Sequence, residues 1–212
     1  MTRTPVTALD FTSCHTAQEN MRFDDRLLLQ APAKQRIFRV YEWQSPGITF
    51  SYKQRLPESL QIIDHARRFT GGGIVFHSPG DIVFCCIIPQ IDPLLGKRPK
   101  DFLSWIATSL QGSFTVVNIP VTCLNSVHQP NYEFCQTYPA PFELGIQGSK
   151  CVAMSLRRTR THMMIQGIIH LSNPHLWIKS YGLNYPEASL YLPLKLRHIQ
   201  SELIAAIVEK VR

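Results

Sequence analysis

The sequence predicts an α+β protein in which a mixed β-sheet sandwich is flanked by helices. Short apolar segments joined by turn residues indicate many strands, and three longer segments carry apolar residues at helical spacing. One strand does not alternate regularly with one helix, which argues against a Rossmann-type fold. Hydrophobic residues make up 44% of the 212 residues and charged residues 17%, which is a globular composition. Because no repeat, low-complexity tract or linker divides the chain, we expect a single domain over residues 1–212.

Helices are predicted at three places along the chain. Residues 17–30 (AQENMRFDDRLLLQ) form the first, and residues 99–111 (PKDFLSWIATSLQ) form an amphipathic second helix after a proline. Residues 197–212 form the third. The apolar stripe of this last helix consists of Ile199, Leu203, Ile207 and Val211.

Alternating or wholly apolar segments predict the strands. In chain order they are residues 37–43, 47–52, 74–76, 82–88, 114–119, 142–147, 150–158 and 163–171. Gly148-Ser149 closes a predicted hairpin between residues 142–147 and 150–158. Cys85 and Cys86 lie within the apolar run IVFCCII, so we expect both to be buried.

The cysteines and the absence of targeting signals predict a cytoplasmic protein. The six cysteines show no CxxC spacing, which argues against a zinc ribbon or a thioredoxin-like redox pair, and no metal-ligating residue can be named. The N-terminus lacks the apolar core of a signal peptide. No apolar run reaches the roughly 20 residues that a membrane helix needs. We therefore expect free thiols in a reducing compartment and no membrane partner.

Charge is distributed unevenly along the chain. The net charge is +7, and no acidic residue occurs between Glu143 and Glu187. The basic residues of this stretch are Lys150, Arg157, Arg158, Arg160 and Lys179. Such a surface favours an anionic partner, either a nucleotide, a nucleic acid or an acidic protein, unless it is only a solvated basic face. Aromatic residues are poorly interleaved with these cations, so we expect no nucleic-acid partner.

A glycine-rich stretch, residues 67–81 (RRFTGGGIVFHSPGD), combines two arginines with three consecutive glycines. It matches neither a Walker loop nor GxGxxG. Glycines allow a ligand to approach the backbone N–H groups, and an adjacent guanidinium can bind a carboxylate or a phosphate. The stretch predicts an anion-binding loop, although the glycines alone would fit a flexible turn better.

The whole stretch resembles the Arg-Arg-x-Ser/Thr-Gly-Gly-Gly-x-Val-x-His-x-x-Gly-Asn/Asp signature of the lipoate–protein ligase and octanoyltransferase family. Three further segments resemble family motifs in the same order along residues 17–171. They are AQENMRFDDRLLL, YEWQSPGITFSYKQ and FELGIQGSKCVAMSLRRTRTHMMIQGIIHL. The resemblance implies a biotin/lipoate protein ligase-like catalytic domain, in agreement with the predicted α+β class.

The resemblance also implies roles for individual residues. Arg68 and the backbone of Gly73, Ile74, Val75 and Phe76 would bind ATP or the acyl-adenylate phosphate. Gly71 and Gly72 would shape the loop, and His77 would line the acyl pocket. Lys150 would be the catalytic lysine between the acyl carboxylate and the α-phosphate. Because it lies at a hairpin end, we expect it not to be a core residue and its removal to leave the fold intact. The remaining acyl-pocket candidates are Gln54, Trp43 and Phe50, with Ile48 and Val75.

Two enzymatic activities are compatible with these motifs. The favoured hypothesis is a lipoate–protein ligase that uses ATP and Mg²⁺ to activate lipoate or octanoate, because the His77-x-x-Gly80-Asp81 ending is closer to the ligases. The alternative is an octanoyltransferase with Cys135 as its nucleophile, since CQTYPAPFELGIQGSK aligns without gaps on the transferase segment. A third hypothesis is a non-catalytic binding protein.

Either enzyme would act on the lipoyl carrier domains of 2-oxoacid dehydrogenase complexes or on the glycine cleavage H protein. Many ligases of the family carry a small C-terminal accessory domain. The chain ends soon after its last predicted helix, so we expect no such domain here, and a separate accessory chain is a candidate partner.

Several positions depart from the family pattern. Ser51 stands where glycine is usual, residues 153–156 (AMSL) replace Gly-x-Ala-Gln, and Gln166 stands where histidine is usual. The departures imply a remodelled pocket or a weakened activity. Since the glycine-rich stretch is intact, we favour an active but divergent enzyme.

Overall fold

The computed structural model describes residues 6–7, 15–93, 98–124, 133–135, 138–183 and 200–211. The helices are α1 (Ala17–Gln30), α2 (Pro99–Val116), α3 (His175–Ile178) and α4 (Gln200–Val211). The strands are β1 (Val6–Thr7), β2 (Arg36–Glu42), β3 (Gly47–Ser51), β4 (His65–Arg68), β5 (Val75–His77), β6 (Ile82–Pro89), β7 (Thr122–Cys123), β8 (Leu144–Ile146), β9 (Ser149–Arg158) and β10 (His162–Ile169). Glu58–Leu60 and Lys179–Tyr181 form short 3₁₀ turns.

The strands form two sheets. The larger sheet has seven strands in the order β1-β2-β6-β10-β9-β8-β7, and the smaller has the order β4-β3-β5. Neighbouring strands are antiparallel except β1 with β2 and β3 with β4, which are parallel. The predicted mixed sheet is therefore confirmed. Strands that are adjacent along the chain separate into different sheets, since β2 and β6 belong to the large sheet while β3 and β5 belong to the small one.

The large sheet buries side chains on both of its faces. On one face, α2 and α4 pack over a core that includes Phe84, Phe102, Phe114 and Ile207. On the other face, α1 and the small sheet enclose a second cluster of buried side chains. Because successive residues of a strand point to opposite faces, one sheet supports both layers. The second layer contains the candidate site.

The helix predictions are largely confirmed, and one strand prediction is wrong. Helix α1 has the predicted bounds, and Thr16 caps it with Glu19 in a capping box. The predicted strand at residues 114–119 is instead the end of α2 and the turn after it, because Phe114 continues the buried helical stripe of Leu110. Residues 197–199 of the predicted last helix lie outside the described residues. The remainder of that helix buries its predicted apolar stripe at Leu203, Ile207 and Val211.

Strands β1, β4 and β7 and helix α3 were not predicted, because each is four residues or shorter and carries no clear periodicity. Cys85 and Cys86 are buried, as predicted. Among the described helices, none combines the length and the apolar character needed to cross a bilayer.

Candidate active site

A cavity lies between the large sheet and the small one. Its wall is formed by Met21, Tyr41, Thr49, Arg68, Val75, His77, Val83, Cys135, Ala153, Met154, Ser155, Gln166, Gly167 and Ile168. Its volume of about 30 Å³ is roughly that of one water molecule. An acyl chain therefore requires side chains to move. Met21 and Met154 are suited to that movement, because methionine is flexible and adapts to irregular space.

Strand alternation decides which of the predicted acyl-pocket residues reach the cavity. Thr49, Val75 and His77 face it, whereas Ile48 and Phe50 point to the opposite face of the small sheet. Phe50 packs there in a separate apolar cluster that also includes Ile74 and Phe76. The structure therefore corrects the placement of Phe50, because the parity of β3 directs its side chain away from the cavity.

Trp43 and Gln54 also lie outside the cavity wall. Trp43 stacks behind His77, with ring centroids 4.0 Å apart. Gln54 accepts a hydrogen bond from the N–H of Ser51 and donates to the carbonyl oxygen of Glu133 at 3.1 Å. These two residues support the cavity from behind and from the side.

Arg68 stabilises the conformation of the glycine loop. Its Nη2 donates to the carbonyl oxygens of Gly71 and Gly73, each at 2.6 Å. Burial lowers the pKa of this guanidinium to about 10. Gly72 has φ +87°, and a Cβ there would lie 3.1 Å from the same guanidinium, so the loop requires glycine at this position. In this conformation the Arg68 guanidinium, to which the family resemblance assigns a phosphate, donates to carbonyl oxygens of the loop instead.

Cys135 lies beside the glycine loop because its segment pairs with Ile74. The N–H of Ile74 donates to the Glu133 carbonyl, and the N–H of Cys135 donates to the Ile74 carbonyl at 2.8 Å. The thiol is buried in the cavity wall. Burial raises the pKa of the Cys135 thiol, while the Lys150 ammonium acts in the opposite direction.

Lys150 is a buried residue, in contrast to the expectation from its place in a hairpin. Its side chain is 3% exposed, and its Nζ lies 2.6 Å from Glu143 Oε2 and donates to the Cys135 carbonyl at 2.6 Å. The ring of Tyr138 lies 4.9 Å from the same ammonium. Lys150 is not one of the described residues that form the cavity wall. The physical reason for its burial is the counter-charge that Glu143 supplies.

Glu143 was not identified from the sequence. Its carboxylate accepts hydrogen bonds from the N–H groups of Ala140 at 2.7 Å and Met154 at 3.3 Å, and its Oε1 lies 4.0 Å from Cys135 Sγ. Burial raises the pKa of this carboxyl, and Lys150 opposes the shift. Its sequence signals were its place as the last acid before the basic stretch and its position within the segment that aligns with the transferase motif.

A polar network connects the glycine loop to α1 across the cavity. Gln166 Oε1 accepts from Thr70 Oγ1 at 2.8 Å, and Gln166 Nε2 donates to Asp24 Oδ2 at 2.8 Å. Ser155 donates to the Thr70 hydroxyl at 2.7 Å, and Arg39 pairs with Asp24 at 2.7 Å. Two departures from the family pattern, Ser155 and Gln166, therefore meet at one hydroxyl. This contact indicates that the two departures from the family pattern are structurally connected and are not two independent losses of a family residue.

His77 and Asp81 differ in their positions. His77 lines the cavity and shares a hydrogen bond of 2.8 Å with the Thr49 hydroxyl, and burial holds its pKa well below the usual range, so the imidazole is neutral. Asp81 accepts hydrogen bonds from the N–H groups of Leu171 and Ser172, and thereby joins the turn after β5 to the end of β10. The His-x-x-Gly-Asp ending is thus explained by the fold and does not by itself indicate a ligase.

Nucleotide binding would require rearrangement of this site. Arg68 and Lys150 are bound to protein acceptors. Within the ranges that the structure describes, no group of three or more His, Cys, Asp or Glu side chains is arranged to hold a metal ion. As they stand, these residues do not fit a bound nucleotide.

The fold and these motifs define a catalytic domain of the lipoylation enzymes. Residues 16–182 match the lipoyl protein ligase A/B catalytic domain family, and the chain belongs to this family. Among individual proteins, the chain is similar to the octanoyltransferase LipM of Bacillus cereus, with 24% identity over 169 residues. That alignment covers 72% of this chain and 60% of LipM, so the chain spans about 60% of the length of the curated relative.

Solved structures confirm the biotin/lipoate protein ligase-like fold. Protein Ta0514 of T. acidophilum with bound lipoic acid matches with a TM-score of 0.72 and 13% identity, over 99% of this chain and 86% of that one. Lipoate-protein ligase A bound with ATP gives 0.67 and 17%, over 90% and 79%. A bipartite lipoate protein ligase of Thermoplasma acidophilum, described with its E2 lipoyl domain, gives 0.60 and 13%, over 100% and 84%. At these identities the matches concern the fold alone.

Proposed function

We propose that this chain is a cysteine-dependent octanoyltransferase, which moves a medium-chain acyl group from a thioester donor to a lysine of a lipoyl carrier domain. The placement of Cys135 carries the proposal: its thiol lies in the cavity wall, and the Lys150–Glu143 pair lies beside it. The similarity to LipM supports the same activity. The sequence favoured the ligase through a motif that the Asp81 hydrogen bonds explain structurally.

The reaction has two balanced steps. In the first, the Cys135 thiolate attacks the donor thioester, so a bond forms between Sγ and the acyl carbon, and the donor's C–S bond breaks. The donor thiol leaves with the proton that Cys135 gave up. In the second, the carrier amine attacks the acyl-cysteine, an amide bond forms, the bond between Sγ and the acyl carbon breaks, and the amine proton returns to Cys135. Neither step needs an oxidant, a reductant or a nucleotide.

Gly73 and Lys150 would stabilise the charge that develops during both steps. Negative charge forms first on Sγ and then on the carbonyl oxygen of the tetrahedral intermediate. Burial raises the pKa of the Cys135 thiol, and the Lys150 ammonium and the Gly73 N–H oppose that rise. Donors held rigidly in a buried site do not have to reorient during the reaction, which favours the transition state over the ground state.

The acceptor would be a lipoyl domain of a 2-oxoacid dehydrogenase complex or the glycine cleavage H protein. The E2 lipoyl domain described with the T. acidophilum ligase supports this class of partner. A separate accessory chain, a cytoplasmic location and the boundaries of a single domain stay predictions.

ATP-dependent ligation is the second candidate. It is supported by the similarity of this fold to structures that hold lipoic acid and ATP. Arg68 and Lys150 would then have to exchange their protein acceptors for the phosphate and the acyl carboxylate, with Mg²⁺ supplied alongside the nucleotide. The present hydrogen bonds favour the transferase over this candidate.

The test supplies wild-type protein with octanoyl-acyl carrier protein and an apo lipoyl domain. We expect a hydroxylamine-sensitive octanoyl adduct on Cys135 by peptide mass spectrometry, followed by octanoylated carrier. Cys135→Ala should abolish both, and Cys123→Ala, at an exposed cysteine, is the matched control. Product made from octanoate plus ATP, and unaffected by Cys135→Ala, would establish the ligase instead. If no adduct and no product form with either donor, the result would support a non-catalytic binding protein.

A further inference from the structure

One row of side chains runs across the small sheet along the cavity. Val75 on β5 is the register partner of Thr49 on β3, and Thr49 is the partner of Ala66 on β4. Cys135 extends this row beyond Val75, because its segment pairs with Ile74 on the side of the strand that faces away from β3. The row therefore begins at Cys135, beyond one edge of the small sheet, and ends at Ala66 on the other edge.

A second row runs across the large sheet and faces the first. Ile168 on β10 is the register partner of both Ala153 on β9 and Val83 on β6. Val83 is in turn the partner of Tyr41 on β2. All four residues line the cavity. The large sheet thus contributes one continuous row, and three of its four side chains are aliphatic.

The two rows run in the same direction. The N–H of the residue after Ala153 donates to Glu143, whose carboxylate lies 4.0 Å from Cys135 Sγ, so this end of the second row lies near the thiol. At the other end, the Tyr41 hydroxyl donates to Asp24 of α1 at 3.4 Å. We call the space between the two rows the acyl channel. It begins at Cys135 and ends at α1.

Met21 closes the acyl channel where it meets α1. Its side chain is 4% exposed and borders two spaces, the acyl channel on the inside and a depression of the protein surface on the outside. Gln166 holds it in place by donating from Nε2 to Met21 Sδ at 3.5 Å. This outer depression has a volume of about 280 Å³ and lies in the seam between α1 and the edge strand β4. Its other lining residues are Gln18, Arg22, Asp25, His65, Ala66 and Arg67.

The distance from Cys135 to Met21 is that of a medium-length alkyl chain. Three inter-strand steps separate the Cys135 segment from β4, and at about 4.8 Å each they span about 14 Å. An extended chain with bonds of about 1.5 Å advances roughly 1.3 Å per carbon, so about ten carbons cover this distance. A chain of that length needs Met21 only to shift at the channel end. A longer chain must displace Met21 from its contact with Gln166.

We propose that Met21 sets the upper limit on the length of the acyl chain, and that the outer depression is a second subsite, which holds the end of a longer chain when Met21 is shortened. The proposal rests on the proposed function for the identity of the chain on Cys135. The outer depression suits a chain end because the aliphatic parts of Arg22 and Arg67 can pack against it while their charged ends stay in solvent.

The first test measures chain length at Cys135 without any acyl transfer. An alkyl methanethiosulfonate transfers its alkylthio group to Sγ: a new S–S bond forms, the reagent's S–S bond breaks, methanesulfinate leaves, and the thiol proton goes to solvent. Wild type should react at least about tenfold more slowly with the dodecyl than with the octyl reagent. Met21→Ala should raise the dodecyl-to-octyl ratio by about tenfold or more. Because both rates refer to one thiol, its intrinsic reactivity cancels in the ratio.

Peptide mass spectrometry separates Cys135 from the other cysteines. A ratio that is the same in wild type and in folded Met21→Ala would overturn the proposal. If no reagent labels Cys135, down to the butyl compound, the channel does not admit a chain to the thiol, and the proposal fails as well. Met21→Val removes less of the side chain and should shift the ratio in the same direction by a smaller factor. It replaces Met21→Ala if that protein does not fold.

Two further variants test the end of the acyl channel and the outer depression separately. Val83→Ala removes a buried side chain from the middle of the channel and leaves its end closed, so the dodecyl-to-octyl ratio should stay that of wild type. An increase equal to that of Met21→Ala would contradict a specific role for Met21. Gln18 is exposed at the outer depression, and Gln18→Trp should fill it. Added to Met21→Ala, this change should restore the discrimination against dodecyl, and no restoration would refute the second subsite.

A second measurement separates this inference from the proposed function. Wild type should form the acyl-enzyme at least about tenfold faster from octanoyl- than from dodecanoyl-acyl carrier protein, and Met21→Ala should accept both. If neither donor acylates Cys135 but the thiosulfonates show the length limit, the proposed function fails and the role of Met21 stands. If both donors acylate wild type equally fast, the function stands and the role of Met21 fails.

Discussion

The side-chain amide of Gln166 donates a hydrogen bond to the buried carboxylate of Asp24 at 2.8 Å, and this contact connects β10 to α1 through the cavity wall. The same amide accepts a hydrogen bond from Thr70 in the glycine loop. One side chain therefore fixes the loop relative to the helix.

Replacing Gln166 should loosen this connection. Gln166→Leu keeps an apolar side chain of similar size but leaves Asp24 with one donor fewer and Thr70 without its acceptor. We expect a loss of about 1–3 kcal/mol in the free energy of unfolding, measured by urea denaturation. Ser155→Ala removes only the outer hydroxyl and should cost less. Equal losses in the two variants would contradict a bridging role for Gln166.

Removing Lys150 should destabilise the protein, contrary to the expectation from sequence. Lys150→Met leaves the Glu143 carboxylate buried without its cation, which costs about 3–5 kcal/mol for comparable pairs. The double variant Lys150→Met/Glu143→Gln should recover part of this loss. Both variants should be compared by chemical denaturation. A single variant as stable as wild type would exclude a structural role for the pair.

The loss in the free energy of unfolding of Lys150→Met should also depend on pH. Without the ammonium, the folded-state pKa of Glu143 lies above its unfolded value of about 4.3, because burial raises it and the main opposing cause is gone. A raised folded-state pKa stabilises the protein below the unfolded value, and that stability is lost as pH rises through the folded value. We therefore expect a smaller deficit at about pH 4.5 than at about pH 7.5. A deficit that is the same at both pH values would show that Glu143 is not the cause.

Asp25 provides a second pH-dependent test. Burial and the neighbouring Asp24 raise its pKa to about 6, and in the described structure its Oδ1 has no hydrogen-bond partner. Ionisation therefore disfavours the folded state above about pH 6. Asp25→Asn should stabilise the protein at about pH 8, by on the order of 1 kcal/mol after solvent screening, and change little at about pH 4.5. Thermal melts at the two pH values would measure this, and stabilisation only at the lower pH would refute it.

Gly167 should not tolerate a side chain. A Cβ on this residue would lie 2.1 Å from the ring of Phe84 on the neighbouring strand β6. Since Phe84 is fully buried, Gly167→Ala requires the ring and its surroundings to shift, at about 1–3 kcal/mol. Gly148→Ala is a useful comparison, because its cost comes from φ +82° and not from crowding. Gly167→Ala/Phe84→Leu should recover stability, and no recovery would contradict a steric origin.

The sequence predicts that the basic stretch from Lys150 to Lys179 helps to dock an acidic carrier domain, but Lys150 is buried and cannot take part. Arg158, Arg160 and Lys179 are exposed, so they rather than Lys150 would attract an acidic carrier. Arg160→Glu should weaken the apparent affinity for the carrier, and added salt should do the same, because exposed charges are screened beyond about 8 Å at physiological ionic strength. Lys210→Glu, on α4 behind the large sheet, is the charge-matched control. Equal effects of the two reversals would argue against this face.

Much of the secondary structure followed from local patterns. Helix α1, strand β6 and the β8–β9 hairpin occur where periodicity and turn residues placed them, because each pattern is complete within its own segment. The strand predicted at residues 114–119 is wrong, because a short apolar run fits a strand or a helix end equally well. Only the packing of Phe114 beneath the sheet decides between them.

The sequence by itself determined the fold class, the glycine loop and the presence of Lys150 and Cys135 near one another in a family motif. The tertiary structure decided what these groups contact. Thr70 and Gln166 are separated by 96 positions, and Cys135 reaches the loop only because residues 133–135 pair with Ile74. Strand parity turned Phe50 away from the cavity, and the burial of Glu143 drew Lys150 inward. Such contacts depend on register and burial, which a linear pattern does not encode because they arise between segments that meet only in the folded chain.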